Sequence, residues 1–150
     1  MINVSIERPN HYLLKKFKER SAEDSRAWCV IMIDPCVLYQ EGTKFSVSNA
    51  ASGSSRAYGI GGSIDHFRAL FQDEVKISSF YGERVFHRAS HSASWPTDIQ
   101  AEALVPDRID ATNILGVCFE SNEELYAIKA GVKVVYDGDL PKFEVNKSLF

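Results

Sequence analysis

The sequence predicts an α+β fold in which short strands and a few helices surround one hydrophobic core. Strand-like apolar runs outnumber helical patterns, and the two kinds do not alternate regularly enough for a doubly wound parallel sheet. The 150 residues are 45% hydrophobic and 25% charged, which is ordinary for a soluble globular domain of this length. We therefore expect a single domain over residues 1–150.

The first predicted elements are a strand, a helix and a second strand. Residues 2–6 favour a short strand, and Asn10 is suitably placed to cap a helix over about His11–Arg20. The nearly continuous apolar run at residues 27–33 is typical of a central strand that is covered on both faces.

The middle of the chain predicts short elements followed by one long irregular stretch. Residues 37–39 favour a helical turn, and residues 44–47 favour a strand. Ser63 or Asp65 would then cap a helix. The buried stripe of that helix would consist of Ile64, Phe67, Leu70 and Phe71. Residues 72–96 show no clear periodicity and predict an irregular, functional loop.

The last third predicts a strand, a helix and two short strands. The strand is expected over Ile114–Phe119. Ser121 with Glu124 forms a capping box for a helix that continues to about Lys129, and Gly131 would end it. The two closing strands would lie at residues 133–136 and 143–145.

Charge, hydropathy and cysteine usage limit the possible classes of protein. The net charge of −3 provides no overall positive field, so nucleic-acid binding would depend on a local patch. No apolar segment approaches the roughly 18 residues of a membrane span, and we expect a cytoplasmic location. Cys29, Cys36 and Cys118 lack paired spacing, which predicts reduced thiols packed among apolar residues.

A basic and aromatic stretch within residues 72–96 has the composition that suits single-stranded nucleic acid. Cations would hold the phosphate backbone while aromatic rings stack on unpaired bases. The expected contacts are Lys76, Tyr81, Arg84, His87, Arg88 and Trp95. The alternative is a mobile loop with its aromatic rings tucked beneath it. His87 and His91 are four residues apart, but without a helical pattern or an acidic third ligand they do not predict a zinc site.

The segment WPTDIQAEALV, residues 95–105, combines a strand-like pattern with polar side chains. In a period-two strand, Gln100 and Glu102 would lie on one face, so that an amide and a carboxylate share a site. The alternative is a half-buried edge strand whose polar face meets water. Arg8, at the end of the first predicted strand, is either a solvated surface arginine or a clamp for a diphosphate, because guanidinium binds phosphate bidentately.

The piece PTDIQAEALV resembles the catalytic strand of the DarT-type toxins, ADP-ribosyltransferases that attach ADP-ribose from NAD to bases of single-stranded DNA. Three further pieces resemble the same family in the same order: SIERPNHYLLKKF, WCVIMIDPCVLYQEGTKFSVSNAAS and KFEVNKSLF. The resemblance implies two packed, mostly antiparallel sheets flanked by short helices. It also implies NAD as substrate, no metal, and a toxin of a toxin–antitoxin or phage-defence system with a macrodomain antitoxin as partner.

The same resemblance implies roles for individual residues. Glu102 would stabilise the positive charge that develops on the ribose, and Gln100 would contact the acceptor base. Arg8 would correspond to the catalytic arginine of the family and would also bind NAD. Asn49 and Ser52, in the small-residue segment SNAAS, would lie beside the dinucleotide.

One part of the family pattern has no counterpart in this sequence. Ahead of the segment that resembles SIERPNHYLLKKF, DarT-type enzymes carry a first strand and helix with a His-x-Thr element, which grips the nicotinamide side of NAD. We therefore expect an amino-terminally short domain. The alternative function that follows from this expectation is a catalytically inactive, nucleic-acid-binding remnant of the fold.

Overall fold

The structure, a computed structural model, describes residues 1–22, 26–53, 55, 59–79, 82–88 and 92–150. Within this part of the chain, three α-helices and eight strands are defined. The helices are α1 (His11–Arg20), α2 (Ile64–Ala69) and α3 (Asn122–Val135). The strands are β1 (Ile2–Ser5), β2 (Cys29–Ile33), β3 (Lys44–Ser46), β4 (Glu74–Ser79), β5 (Gly82–His87), β6 (Glu102–Val105), β7 (Ile114–Phe119) and β8 (Lys142–Val145). This mixture of helices and three small sheets confirms the α+β class.

The chain divides into two compact units, each built from two separate pieces of sequence. The first unit contains Met1–Arg8 and Cys36–Ile109, and the second contains Pro9–Pro35 and Asp110–Phe150. The residues predicted to act on NAD and DNA all belong to the first unit. In the described residues, no helix is both long and apolar enough to cross a membrane.

The first unit is organised around β6, the central strand of an antiparallel sheet in the order β1-β6-β3. Glu102 begins β6 and is paired with Ser5 on one side and Ser46 on the other. All four residues of β6 are buried. The alternative of a half-buried edge strand was therefore wrong, because strands from distant parts of the chain cover both edges, and the period of one segment does not reveal such pairing.

An aromatic and aliphatic core supports this sheet. Phe45, Leu70 and the small Ala101 and Ala103 form a buried cluster. Phe67 of α2 lies across Phe45 with ring centroids 5.1 Å apart. Ser63 caps α2 as predicted, but Ile64 is 60% exposed and does not belong to the buried stripe.

The second sheet of this unit is the antiparallel hairpin β4-β5, which lies where we expected an irregular loop. That expectation was wrong for most of residues 72–96. Val75 and Ile77 alternate with polar residues and are buried, as in a strand with one covered face. The pattern in β5 is weaker because its residues are mostly exposed, so the hairpin depends on its pairing with β4.

The second unit contains the sheet β2-β7-β8, in which β2 is antiparallel and β8 parallel to the central strand β7. The expected central strand at residues 27–33 is instead the edge strand β2. Its Ile31 is 48% exposed, which shows that the apolar run is not covered on both faces. Helix α1 has the predicted bounds, and the Asn10 side chain accepts a hydrogen bond from the Leu13 amide at 3.1 Å.

Helix α3 starts where the capping box predicted but continues further than expected. The Ser121 hydroxyl caps it by accepting from the Glu124 amide at 3.2 Å. Gly131 does not end the helix, and the predicted strand at residues 133–136 is wrong, because the helix extends to Val135. A glycine lowers helix stability by only about 1 kcal/mol, which the surrounding residues offset here.

The cysteines follow the prediction only in part. All three are thiols outside any disulfide, but Cys29 and Cys36 are exposed, whereas Cys118 is buried in β7. Burial raises the pKa of the Cys118 thiol, and its hydrogen bond to the Glu144 carboxylate raises the pKa further. Cys118 is therefore a protonated packing residue and a poor nucleophile at neutral pH.

Candidate active site

Glu102 occupies a buried position, and the donors that the described residues direct at its carboxylate are neutral. Its Oε2 atom accepts hydrogen bonds from the Asn3 side-chain amide at 3.1 Å and from the Ala50 backbone amide at 2.9 Å. Glu102 as a residue is 8% exposed. Oε2 is thus held by protein donors, and within the described part of the chain no donor to Oε1 is seen.

The hydrogen bond to Ala50 joins the segment SNAAS to the start of β6. Within this segment, the Asn49 side chain accepts from the Ala51 amide at 2.9 Å, and the Asn49 carbonyl accepts from the Ser52 amide at 3.0 Å. These are the bonds of a tight polar turn, which Asn stabilises with its short side chain. The two most distinctive pieces of the sequence therefore meet at one carboxylate.

Gln100 lies in a turn just before β6 and not in the strand itself. The prediction that Gln100 and Glu102 share one face of a strand is therefore wrong. The turn is set by Asp98, which is 1% exposed and accepts from the Gln100 amide at 2.9 Å through Oδ1. The Asp98 carbonyl also accepts from the Ala101 amide at 2.9 Å. Side-chain acceptors such as aspartate favour a turn over a longer strand.

An open pocket of about 290 Å³ lies beside this turn. Its described lining residues are Ser48, Asn49, Ala51, Ser52, Arg84 and Gln100. The structure thus brings together residues predicted to bind NAD, Asn49 and Ser52, with two predicted to bind DNA, Arg84 and Gln100. Small side chains leave the backbone accessible, and Arg84 supplies the single positive charge among these six residues.

Arg8 lies at the end of β1, where the chain turns sharply. Glu7 has a positive φ of 68°, and the Arg8 amide donates to the Ile6 carbonyl at 2.8 Å. The guanidinium carbon of Arg8 lies 3.8 Å from the centroid of the Trp95 ring. The structure therefore pairs Arg8 with an aromatic residue that we expected to stack on DNA.

Arg88 directs its guanidinium at the backbone near Trp95. Nη1 donates to the Trp95 carbonyl at 2.8 Å, and Nη2 donates to the carbonyls of Ser92 at 3.0 Å and Ala93 at 2.7 Å. These three bonds hold the segment at residues 92–95 against the end of β5.

The sequence was compared with known protein families, and one family matches the segments that form this site. The family described as DarT, ssDNA thymidine ADP-ribosyltransferase, matches residues 7–150. The chain belongs to the DarT family. No curated protein matches the sequence.

Membership of the DarT family establishes the chain as an ADP-ribosyltransferase that acts on single-stranded DNA. The family match covers SNAAS, the turn at Asp98 and the start of β6, which the structure places around one carboxylate.

The remaining basic residues of this DarT chain have different surroundings. Lys76 forms an ion pair with Glu74 at 3.0 Å, and His87 lies 3.6 Å from the same carboxylate. Arg84 lies 5.8 Å from the Phe86 ring. Tyr81, the other predicted DNA contact, lies outside the described residues.

Sequence reasoning missed two residues that shape the DarT site. Asn3 is an ordinary strand residue until the pairing of β1 with β6 brings it to Glu102. Asp98 could have been recognised, because an aspartate two residues before Gln100 is a common turn signal. Over the described ranges, no group of three or more His, Cys, Asp or Glu side chains has the geometry to hold a metal ion.

Proposed function

We propose that this chain transfers ADP-ribose from NAD to the thymine base of single-stranded DNA, with Glu102 as the catalytic carboxylate and residues 1–150 as one functional domain. The observation that carries this proposal is the position of Glu102. It starts the central strand, its Oε2 is held by Asn3 and Ala50, and the described residues place no donor on its second oxygen. The name of the matching family supports thymidine as the acceptor.

The chemistry requires negative charge beside the sugar. The bond between the ribose C1 atom and the nicotinamide nitrogen breaks, and nicotinamide leaves with the electron pair. Positive charge then develops on the ribose, and a carboxylate stabilises that charge more than it stabilises the ground state. The thymine ring N–H is the acceptor, so its nitrogen bonds to C1 and its proton passes to Glu102 or to water.

The residues around the pocket have complementary roles in this proposal. Asn49 and Ser52 lie against the dinucleotide, and Gln100 contacts the thymine base through its amide, which both donates and accepts. Arg8 binds the diphosphate, because a guanidinium matches two phosphate oxygens at once. Gln100 and Asn49 line the same pocket, which supports a base and a dinucleotide that meet there.

The hairpin β4-β5 and the segment that ends at Trp95 form the DNA-binding side of the proposed site. Lys76, Arg84 and His87 would contact phosphates, while Tyr81 and Trp95 would stack on bases. Modification of DNA bases in a cell would make the protein toxic. We therefore also propose a cytoplasmic toxin that is paired with a macrodomain antitoxin able to remove the modification.

Mass spectrometry of oligonucleotides tests the proposed reaction. Incubation with NAD should add one ADP-ribose unit to a single-stranded oligonucleotide that contains thymidine, and none to a matched oligonucleotide without thymidine. A folded protein that binds the oligonucleotide but forms no adduct would instead support the inactive remnant.

Glu102→Gln tests the catalytic carboxylate. We expect transfer to fall by about 100- to 1000-fold, because the amide keeps the shape but removes the charge. Stability should be unchanged or higher, because Asn3 and the Ala50 amide can still donate to the glutamine oxygen, and no cation among the described residues is paired with Glu102. Activity per folded molecule and urea unfolding are the measurements.

Glu19→Gln, on the exposed part of α1, is the matched control and should leave both quantities unchanged. A Glu102→Gln protein that keeps its activity while losing about 2 kcal/mol or more of unfolding free energy would show that Glu102 is structural.

A further inference from the structure

We propose that Arg88 is a positioning residue that holds Trp95 so that the Trp95 ring fixes the guanidinium of Arg8. This inference rests on the proposed function in assigning an anion-binding role to Arg8. It also changes the expected role of Arg88 from a contact with DNA to a contact with the backbone of the protein.

The first step is the geometry of Arg88. Its backbone amide donates to the Asp73 carbonyl at 2.9 Å, so the residue is anchored just beyond the hairpin. Its guanidinium then donates to the carbonyls of Ser92, Ala93 and Trp95 within 3.0 Å. The planar guanidinium group has five N–H donors and can donate to three carbonyl oxygens at once. A lysine ammonium cannot reproduce this arrangement.

The second step is the fixation of Trp95 from its other side. Thr97, which follows Pro96, is 2% exposed, and its amide donates to the Leu70 carbonyl at 2.8 Å. The Thr97 hydroxyl donates to the Gln72 carbonyl. Trp95 is thus held between Arg88 and Thr97 through the backbone, which fixes the position of its ring beside Arg8.

The third step is the effect on Arg8. A distance of 3.8 Å between the guanidinium carbon and the ring centroid places the cation on the face of the indole. A long side chain loses much rotamer freedom when it becomes ordered, so an arginine that is already held on a ring binds a phosphate at a smaller entropic cost. Arg8 lies three residues after Ser5, the last residue of β1, and Ser5 is paired with Glu102, so the strand that leads to the held cation is a neighbour of the strand that carries the carboxylate.

Two roles for Arg88 predict different behaviour on replacement by lysine. If Arg88 contacts a DNA phosphate, Arg88→Lys keeps the charge and retains most of the DNA affinity and its salt dependence. If Arg88 positions Trp95, Arg88→Lys loses the backbone contacts almost as completely as Arg88→Gln does. The KM for NAD then rises in both variants, while the salt dependence of DNA binding is unchanged.

The experiment compares Arg88→Lys, Arg88→Gln, Trp95→Leu and Trp95→Phe in the full chain, with Arg68→Lys as control. Arg68 is an exposed arginine whose Nη1 lies 3.7 Å from Asp65 Oδ1. Arg68→Lys therefore makes the same guanidinium-to-ammonium change at a residue that does not contact Trp95. For Arg88→Lys we expect a roughly 3- to 10-fold rise in KM for NAD, the range that corresponds to the loss of one cation–π contact. We expect kcat to change less.

Arg88 and Trp95 should affect the KM for NAD through the same contact. Trp95→Leu should reproduce the effect of Arg88→Lys, the double variant should be no worse than Trp95→Leu alone, and Trp95→Phe should retain most of the affinity for NAD. Additive effects in the double variant, or a lysine variant with normal KM and weaker DNA binding, would overturn the proposal.

Fluorescence keeps the test independent of activity. In a Trp28→Phe background, Trp95 is the remaining tryptophan. We expect Arg88→Lys and Arg8→Ala each to change Trp95 emission and its quenching by acrylamide, with a thermal midpoint close to that of the parent. If the wild type forms no DNA adduct, the proposed function fails while these optical changes still support the contact. Unchanged emission in both variants overturns the contact itself.

Discussion

At the scale of single residues, the proposed chemistry depends on the neutral donors that the described residues direct at Glu102. Its Oε2 accepts from an amide side chain and a backbone N–H, both uncharged. A cation in direct contact would cancel the negative charge that the transition state requires, whereas neutral donors orient the carboxylate and leave its charge in place. Asn3 is therefore as much a part of the candidate site as Gln100 and Glu102.

Replacing Asn3 tests this account. Asn3→Ala removes one hydrogen bond, and such a bond contributes about 0.5–1.5 kcal/mol to the free energy of unfolding. Because Asn3 is exposed, the loss should lie at the lower end of this range. Asn3→Asp should be worse, because two neighbouring carboxylates raise the pKa of at least one of them. Transfer activity should follow the same order, with the alanine variant more active than the aspartate variant.

The pH dependence gives the sign of this effect. A carboxyl whose folded-state pKa is raised destabilises the protein fully above that pKa, and the penalty disappears as the pH falls below the unfolded-state pKa. Urea unfolding of Asn3→Asp and Asn3→Ala should therefore converge below about pH 4, the ordinary range of an unfolded Asp or Glu, and diverge near neutrality. Equal stability of the two variants at neutral pH would contradict the contact between Asn3 and Glu102.

At the scale of elements, capping residues and apolar runs in the sequence were enough to predict those helices and strands that local interactions determine. Helix α1 and strand β7 have the predicted bounds, because a capping side chain and a short apolar run specify them. The hairpin β4-β5 and the edge position of β2 were not predicted, because both depend on which strand lies alongside. The same limit applies to the site. Glu102 was selected as a candidate from its motif, whereas its contact with Asn3 becomes visible only through a strand pairing.

Gly131 allows a test of why α3 continues past its predicted end. A Cβ atom at Gly131 would meet no atom within 4 Å, and the residue lies in the helix interior. Gly131→Ala should therefore raise the free energy of unfolding by about 0.5–1 kcal/mol, because alanine loses less backbone entropy on folding. Chemical denaturation measures this change.

The matched control for that variant is Gly42→Ala. Gly42 has a φ of +86°, a conformation that alanine adopts only with strain, so this variant should lose stability. A Gly131→Ala protein that is also destabilised would indicate that the last turns of α3 are not helical in solution.

At the scale of the whole molecule, a net charge of −3 means that DNA affinity must come from a few local cations. Arg84 is exposed and lines the pocket, so we expect Arg84→Ala to weaken binding of single-stranded DNA equally across sequences. The slope of log affinity against log salt should become shallower by about 0.7, the value for one phosphate contact on a single strand. Titrations at several salt concentrations measure this slope.

Arg68→Ala controls for the change in net charge and should leave the slope unchanged. The wild type should also prefer single strands to duplex, since aromatic stacking requires unpaired bases. Equal affinity for both forms would exclude a stacking surface on the hairpin side of the pocket.

The hydrogen bond between Asn3 and Glu102 spans 99 positions of sequence. A contact between residues so far apart in the sequence forms slowly, because the chain must close a long loop before the contact contributes any free energy. A ribosome adds roughly 5–20 residues per second, so β1 waits on the order of ten seconds for β6 to be synthesised. The contact between Asn3 and Glu102 therefore cannot form until β6 has been synthesised, so the proposed activity begins late in the production of the protein.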